Sequence, residues 1–92
     1  MKSLNWSTEK NIRLKAERGV SFEEVVSAMS NGGLLVVLDH PNTDQYPNQR
    51  MFVVRIRGYV YLVPFVETES EIFLKTIIPS RKTTRQYLGE GN

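Results

Sequence analysis

Apolar side chains recur along this chain with two different periods. Phe22, Val25, Val26 and Met29 fall at i, i+3, i+4 and i+7, which is one face of a helix. Ser21-Phe22-Glu23-Glu24 is a capping box: hydroxyl and carboxylate each satisfy a backbone N–H that the first turn leaves unpaired. Asn31-Gly32-Gly33 ends that helix. Upstream, Asn5 or Ser7 caps a weaker helix running to about Arg18, with Glu9 in its first turn and Gly19 just past its end. Ile12 and Ala16 are its expected apolar contacts, with Trp6 nearby as a helix-entry packing residue. So thin a stripe needs tertiary support.

After Gly33 the period shortens. Leu34 to Leu38 is an aliphatic run between turn residues and reads as a buried strand. Asp39 to Asn48 is rich in proline, asparagine and aspartate, and reads as a loop or long hairpin connection. Met51 to Ile56, Tyr59 to Val66 and Glu71 to Ile78 are β-branched and aromatic, and read as three further strands. Arg57-Gly58 suits a two-residue turn, and Glu67 to Ser70 a looser acidic one. Pro79 stops the last strand, and Ser80 caps a short helix from Arg81 to Leu88. The expected fold is a single α+β domain over residues 1–92, with two N-terminal helices on one face of a four-stranded antiparallel sheet and a short C-terminal helix.

The turn lengths set a register. They place Ile56 opposite Tyr59, Val54 opposite Tyr61, Val66 opposite Glu71, Val63 opposite Leu74 and Tyr61 opposite Thr76. One face then carries Phe52, Val54, Ile56, Tyr59, Tyr61, Val63, Phe65, Ile72, Leu74 and Ile78 as the core. The other carries Arg55, Val60, Leu62, Phe73, Lys75 and Ile77. A slip of one residue would exchange these faces.

Composition narrows the chemistry. The 92 residues suffice for one domain with a shallow site. An ordinary apolar and charged content excludes global disorder. The absence of cysteine excludes a disulfide framework, thiolate catalysis and cysteine-based zinc. Together with an opening MKSLNWSTEK that has no apolar run, it makes a cytoplasmic protein with no membrane association the expectation. The net charge is only +2, but Ile72 to Leu88 contains Lys75, Arg81, Lys82 and Arg85 and no acid. Polyanion binding through one basic face competes here with an ordinary solvated surface. His40, the only histidine, lies in the proline-containing loop and reads as an exposed loop residue. Asp39, His40 and Asp44 are the only local cluster with metal-ligand chemistry, and too weak to expect a metal or cofactor.

Two segments carry a family resemblance. Leu4-Asn5-Trp6-Ser7-Thr8-Glu9-Lys10-Asn11, followed by Arg18-Gly19-Val20-Ser21-Phe22-Glu23-Glu24-Val25, is similar to the opening of the BrnT toxins. Ile77-Ile78-Pro79-Ser80-Arg81-Lys82-Thr83-Thr84-Arg85 with Tyr87 resembles their closing strand and Tyr-bearing helix, and Arg50 stands where they have an arginine. The chain departs from that pattern at Ser7, Glu17-Arg18 and Pro79-Ser80, where aspartate, Lys-His and Ser-Ala are usual.

The resemblance implies a RelE-like fold and metal-independent cleavage of RNA by its own 2′-hydroxyl, blocking translation. The partner it implies is a cognate antitoxin, a small DNA-binding protein of ribbon-helix-helix type, through which alone the toxin meets DNA. Such cleavage needs a base, an acid and cations on the crowded phosphate. Arg50 and Arg81 are the expected phosphate cations, with Lys82 beside them and Lys10 next; Glu24, or equally Glu23, is the expected base. Lys82, Arg85, Tyr87 and Trp6 are the expected RNA contacts, the aromatics by base stacking. The three departures motivate a rival reading: a module of the same fold, impaired in cleavage, that acts through its antitoxin. A further rival is a plain nucleic-acid-binding protein that follows phosphate charge.

Overall fold

A computed structural model of the chain describes residues 2–89. The elements are β1 (Ser3–Trp6), α1 (Thr8–Arg18), α2 (Phe22–Ser30), β2 (Leu34–Asp39), β3 (Gln49–Ile56), β4 (Tyr59–Glu67), β5 (Glu71–Leu74), β6 (Ile78–Pro79) and α3 (Arg81–Leu88). Over the described residues the fold is α+β, with three helices and one mixed sheet ordered β1-β5-β4-β3-β2, and β6 also paired to β4. No helix among the described residues is long and apolar enough to cross a membrane.

The helix ends follow from their capping chemistry. Ser7 Oγ accepts from the Lys10 N–H, and Gly19 closes α1 in the left-handed region at φ 67°. In α2 both halves of the capping box form, between Ser21 and Glu24. The apolar face of α1 differs from expectation. Ile12 is 65% exposed, whereas Asn11 and Leu14, three residues apart on the other stripe, are buried. Gly33 links α2 to β2 where no side chain fits: a Cβ there would lie 2.8 Å from both the Ala28 and Arg55 carbonyl oxygens.

Two parts of the sheet differ from the expected antiparallel meander. A first strand, β1, was not expected; it pairs in parallel with β5, Ser3 opposite Glu71 through Trp6 opposite Leu74. The expected closing strand from Glu71 to Ile78 is broken. Its turn is tighter than expected, closed by the Thr68 N–H to the Glu71 carbonyl at 2.9 Å, so Phe65 rather than Val63 faces Leu74. A shift of two residues preserves the faces. Between Leu74 and Ile78 the register then moves by one more: Lys75 N–H still bonds the Pro64 carbonyl, but Ile78 pairs with Leu62 and Pro79, not Thr76, with Tyr61. A one-residue change exchanges inside and outside. Ile77, expected on the outer face, is therefore fully buried in the core, and Ile78, expected inside, is 39% exposed.

The remaining register is as expected. Ile56 faces Tyr59 and Val54 faces Tyr61 across a turn in which Arg57 and Gly58 both take positive φ, at 51° and 77°. Phe52, Val54, Ile56, Val63, Phe65 and Leu74 form the core with Leu14, Val20, Phe22 and Val25 from the helical layer. On the opposite side Val53 and Val60 are fully buried but stand apart from this cluster, and α3 packs against β4 there.

The broken strand gives a direct test. Truncating Ile77 to alanine removes core contacts and should cost about 2–5 kcal/mol, whereas Ile78→Ala should cost under about 1 kcal/mol. Urea unfolding of the two variants measures both; equal losses would contradict the register change.

Candidate nucleic-acid interface

The acid-free basic run from Ile72 to Leu88 ends in α3. Ser80 caps the helix, its Oγ accepting from the Thr83 N–H at 3.1 Å. Thr84 anchors the helix to the sheet. Its hydroxyl donates to the Ser80 carbonyl at 2.7 Å and accepts the Val60 N–H at 2.9 Å, while the Ser80 N–H bonds the Val60 carbonyl at 3.0 Å. Both backbone groups of Val60 in β4 are thereby satisfied, and α3 is fixed beside that strand. Arg81, Lys82 and Arg85 with Gln86 line one open hollow of about 630 Å³. Among the described residues, three cations and no carboxylate line it, and such a lining favours an anion. Guanidinium forks match pairs of phosphate oxygens, and an ammonium adds a point charge. Tyr87, 40% exposed, stands on the same helix outside that lining.

Arg50 is elsewhere. It faces Phe65 across β3 and β4, its guanidinium lies 5.5 Å from that ring's centroid, and it donates to Glu67 at 2.8 Å. Lys2 donates to the other Glu67 oxygen at 2.6 Å. These hydrogen bonds, Lys2's first and Arg50's second, hold the Glu67 carboxyl below its ordinary range. Arg50 lines a second hollow of about 470 Å³ with Lys2, Pro47, Asn48, Glu67, Thr68 and Glu69, which shares no residue with the α3 hollow. Along β4 the partner of Arg50 is Phe65 and that of Pro79 is Tyr61, four residues apart, or roughly 13 Å. Arg50 also projects on the core side of the sheet and α3 on the other. The expected meeting of Arg50 with Arg81 and Lys82 does not occur, because the strand break sends the C-terminal segment across to the opposite face.

The other expected site residues have structural partners. Glu24 completes the α2 capping box and accepts from Arg57, whose guanidinium also donates to the Gly19 carbonyl at 3.0 Å. It ties the α1–α2 corner to the β3–β4 turn. Trp6 stacks on Phe22, ring centroids 5.6 Å apart, and packs against the core. Lys10 is half-buried on α1 and lines neither hollow; its backbone N–H meets the Ser7 cap. His40 Nδ1 accepts from the Asn42 N–H at 3.0 Å and its ring lies 4.5 Å from Tyr46, which shapes the loop. Among the described residues no group of three His, Cys, Asp or Glu stands close enough to share a metal ion.

Asn11 was not singled out as a contact residue. Its Oδ1 accepts the buried Phe22 N–H at 2.8 Å, and its Nδ2 donates to Glu23 at 2.8 Å. Its signal was its place three residues before Leu14, on the stripe passed over for Ile12 and Ala16. Arg18 likewise donates to the Ile77 carbonyl, holding the broken strand against α1. No family model, curated protein or solved structure matches this chain.

The Asn11 amide is the largest cause holding the Glu23 carboxyl below its ordinary value near 4.5. A depressed carboxylate contributes stability above its unfolded value, and that contribution is lost as pH falls through the lower folded one. Asn11→Ala should cost about 1–3 kcal/mol by leaving the Phe22 N–H unpaired. The same substitution should raise the Glu23 midpoint in an NMR titration and flatten the acid limb of stability below pH 4.5. An unmoved Glu23 midpoint would contradict this coupling.

Proposed function

We propose that this chain is an endoribonuclease toxin of a toxin–antitoxin pair, active in the cytoplasm on RNA, whose phosphates seat on α3. The observation that carries the RNA contact is the hollow lined by Arg81, Lys82, Arg85 and Gln86, with three cations and no acid among the described residues. The cleavage reading rests on the BrnT resemblance of residues 4–25 and 77–87. In the reaction the 2′-hydroxyl gives its proton to solvent water, its oxygen bonds to phosphorus and the bond to the 5′-oxygen breaks, leaving a 2′,3′-cyclic phosphate. Arg81 and Arg85 stabilise the charge gathered on the phosphate oxygens. Of the three cations only the lysine ammonium is suited to give a proton to the leaving 5′-oxygen. Tyr87 offers a face for an unpaired base. A cognate antitoxin of ribbon-helix-helix type neutralises the toxin and carries the pair to DNA.

One observation favours a second reading. Among the described residues no carboxylate or imidazole lines the hollow to take the 2′-hydroxyl proton, and Glu24 is engaged by Arg57 and its cap. A module of this kind would hold phosphate on α3 without cutting, and act through its antitoxin.

Expression of the chain alone separates the two. The toxin arrests growth and leaves RNA fragments ending in cyclic phosphate; the module leaves growth and RNA intact. In the toxin, Arg81→Ala or Lys82→Ala restores growth with stability unchanged to within about 0.5 kcal/mol, as for surface substitutions. Arg50→Ala should stay toxic; loss of toxicity in a folded Arg50→Ala protein would move the site to the other hollow.

A further inference from the structure

The two faces of the sheet are unequally covered. Helices α1 and α2 supply the cover of one, where the core lies. The other has α3, eight residues long. Beside α3 two cross-strand rows stay open. Val36, Val53, Leu62 and Ile78 are successive partners across β2, β3, β4 and β6, and Leu38, Met51 and Pro64 are partners across β2, β3 and β4. Alternation places both rows on one face. Only Val53 among them is fully buried; Leu38 and Ile78 are each 39% exposed and the rest are half-buried. The open rows end at β2, an edge strand with apolar side chains on both faces and no charge before Asp39. An apolar surface of this kind, continuous with an unguarded edge, marks an interaction site.

The charges around it identify the occupant. Lys75 follows the Leu38–Met51–Pro64 row, its N–H bonded to the Pro64 carbonyl at 2.8 Å. Arg55 projects beyond Val53 on the same face, and Arg81 and Lys82 stand on α3. Among the described strand residues of this face the one acid is Glu71, at the far corner, where it accepts from Asn5 at 2.7 Å. A second copy would bring two cationic rims together. A lipid surface favours protruding apolar groups, and these form a floor between cations.

We propose that this open half of the sheet docks an acidic, amphipathic segment of a partner protein, with its apolar side chains on the two rows and its carboxylates on Lys75, Arg55 and α3. The proposal stands on its own observations and does not require the α3 hollow to bind RNA.

Methyl NMR of the full chain tests it with two designed helical peptides that share one leucine face. One carries glutamate on its polar face and the other lysine. The glutamate peptide is expected to shift the methyls of Val36, Leu38, Met51 and Leu62 with micromolar affinity that weakens as salt rises, and the lysine peptide to leave them unmoved. Leu38→Glu, at an exposed position, should weaken the glutamate peptide roughly tenfold or more without unfolding the chain. Equal binding of both peptides, or shifts confined to α3 or to the core side, would overturn the proposal. So would no binding at millimolar peptide, a dimer seen by sedimentation that covers these methyls, or tighter engagement of the same methyls by phosphatidylglycerol vesicles or a single-stranded RNA oligonucleotide.

Discussion

The single-residue change of register between Leu74 and Ile78 governs where everything after it lies. β5 follows one pairing with β4, β6 follows another displaced by one, and the irregular residues between them absorb the difference. Ile77 turns into the core and its carbonyl meets Arg18 of α1. Ser80 reaches Val60, and Thr84 locks the following helix to β4. The basic C-terminal helix is thereby held on the side of the sheet away from α1 and α2. A straight continuation of β5 would have put Ile78 inside and left Ile77 in water.

The α1–α2 corner is the second fixed point, and polar groups build it. Asn11 satisfies the Phe22 N–H at the start of α2 and reaches Glu23, while Glu24 closes the cap and meets Arg57. A buried amide earns its place only with both ends paired, and here both are. Trp6 on Phe22 seals the corner from the β1 side. The polar residues of this segment thus have clear work in holding the fold.

What was legible in the sequence was what local chemistry decides. The capping box, the Ser7 and Ser80 caps, the Gly19 stop and the Arg57-Gly58 turn each depend on residues within one turn of each other. The β3–β4 register followed from that turn, and with it most of the core. What was not legible depended on partners distant in sequence. β1 is four residues long and is stabilised by parallel pairing with β5, 68 positions away, which no local period announces. The irregularity after Leu74 has no glycine to mark it, so Ile77 and Ile78 were exchanged. The basic residues were recognised, but their division between two hollows followed from that exchange. The two arginines expected to share a phosphate stand on opposite faces.

In the function proposed above, the cations of α3 alone, without Arg50, carry the contact with a polyanion. The slope of log affinity against log salt for a single-stranded RNA oligonucleotide reads this most directly, since each phosphate contact contributes about −0.7. The slope is expected to lose roughly one such increment in Arg81→Ala and again in Lys82→Ala, and to be unchanged in Arg50→Ala. A slope that falls for Arg50→Ala and holds for both α3 variants would contradict the assignment.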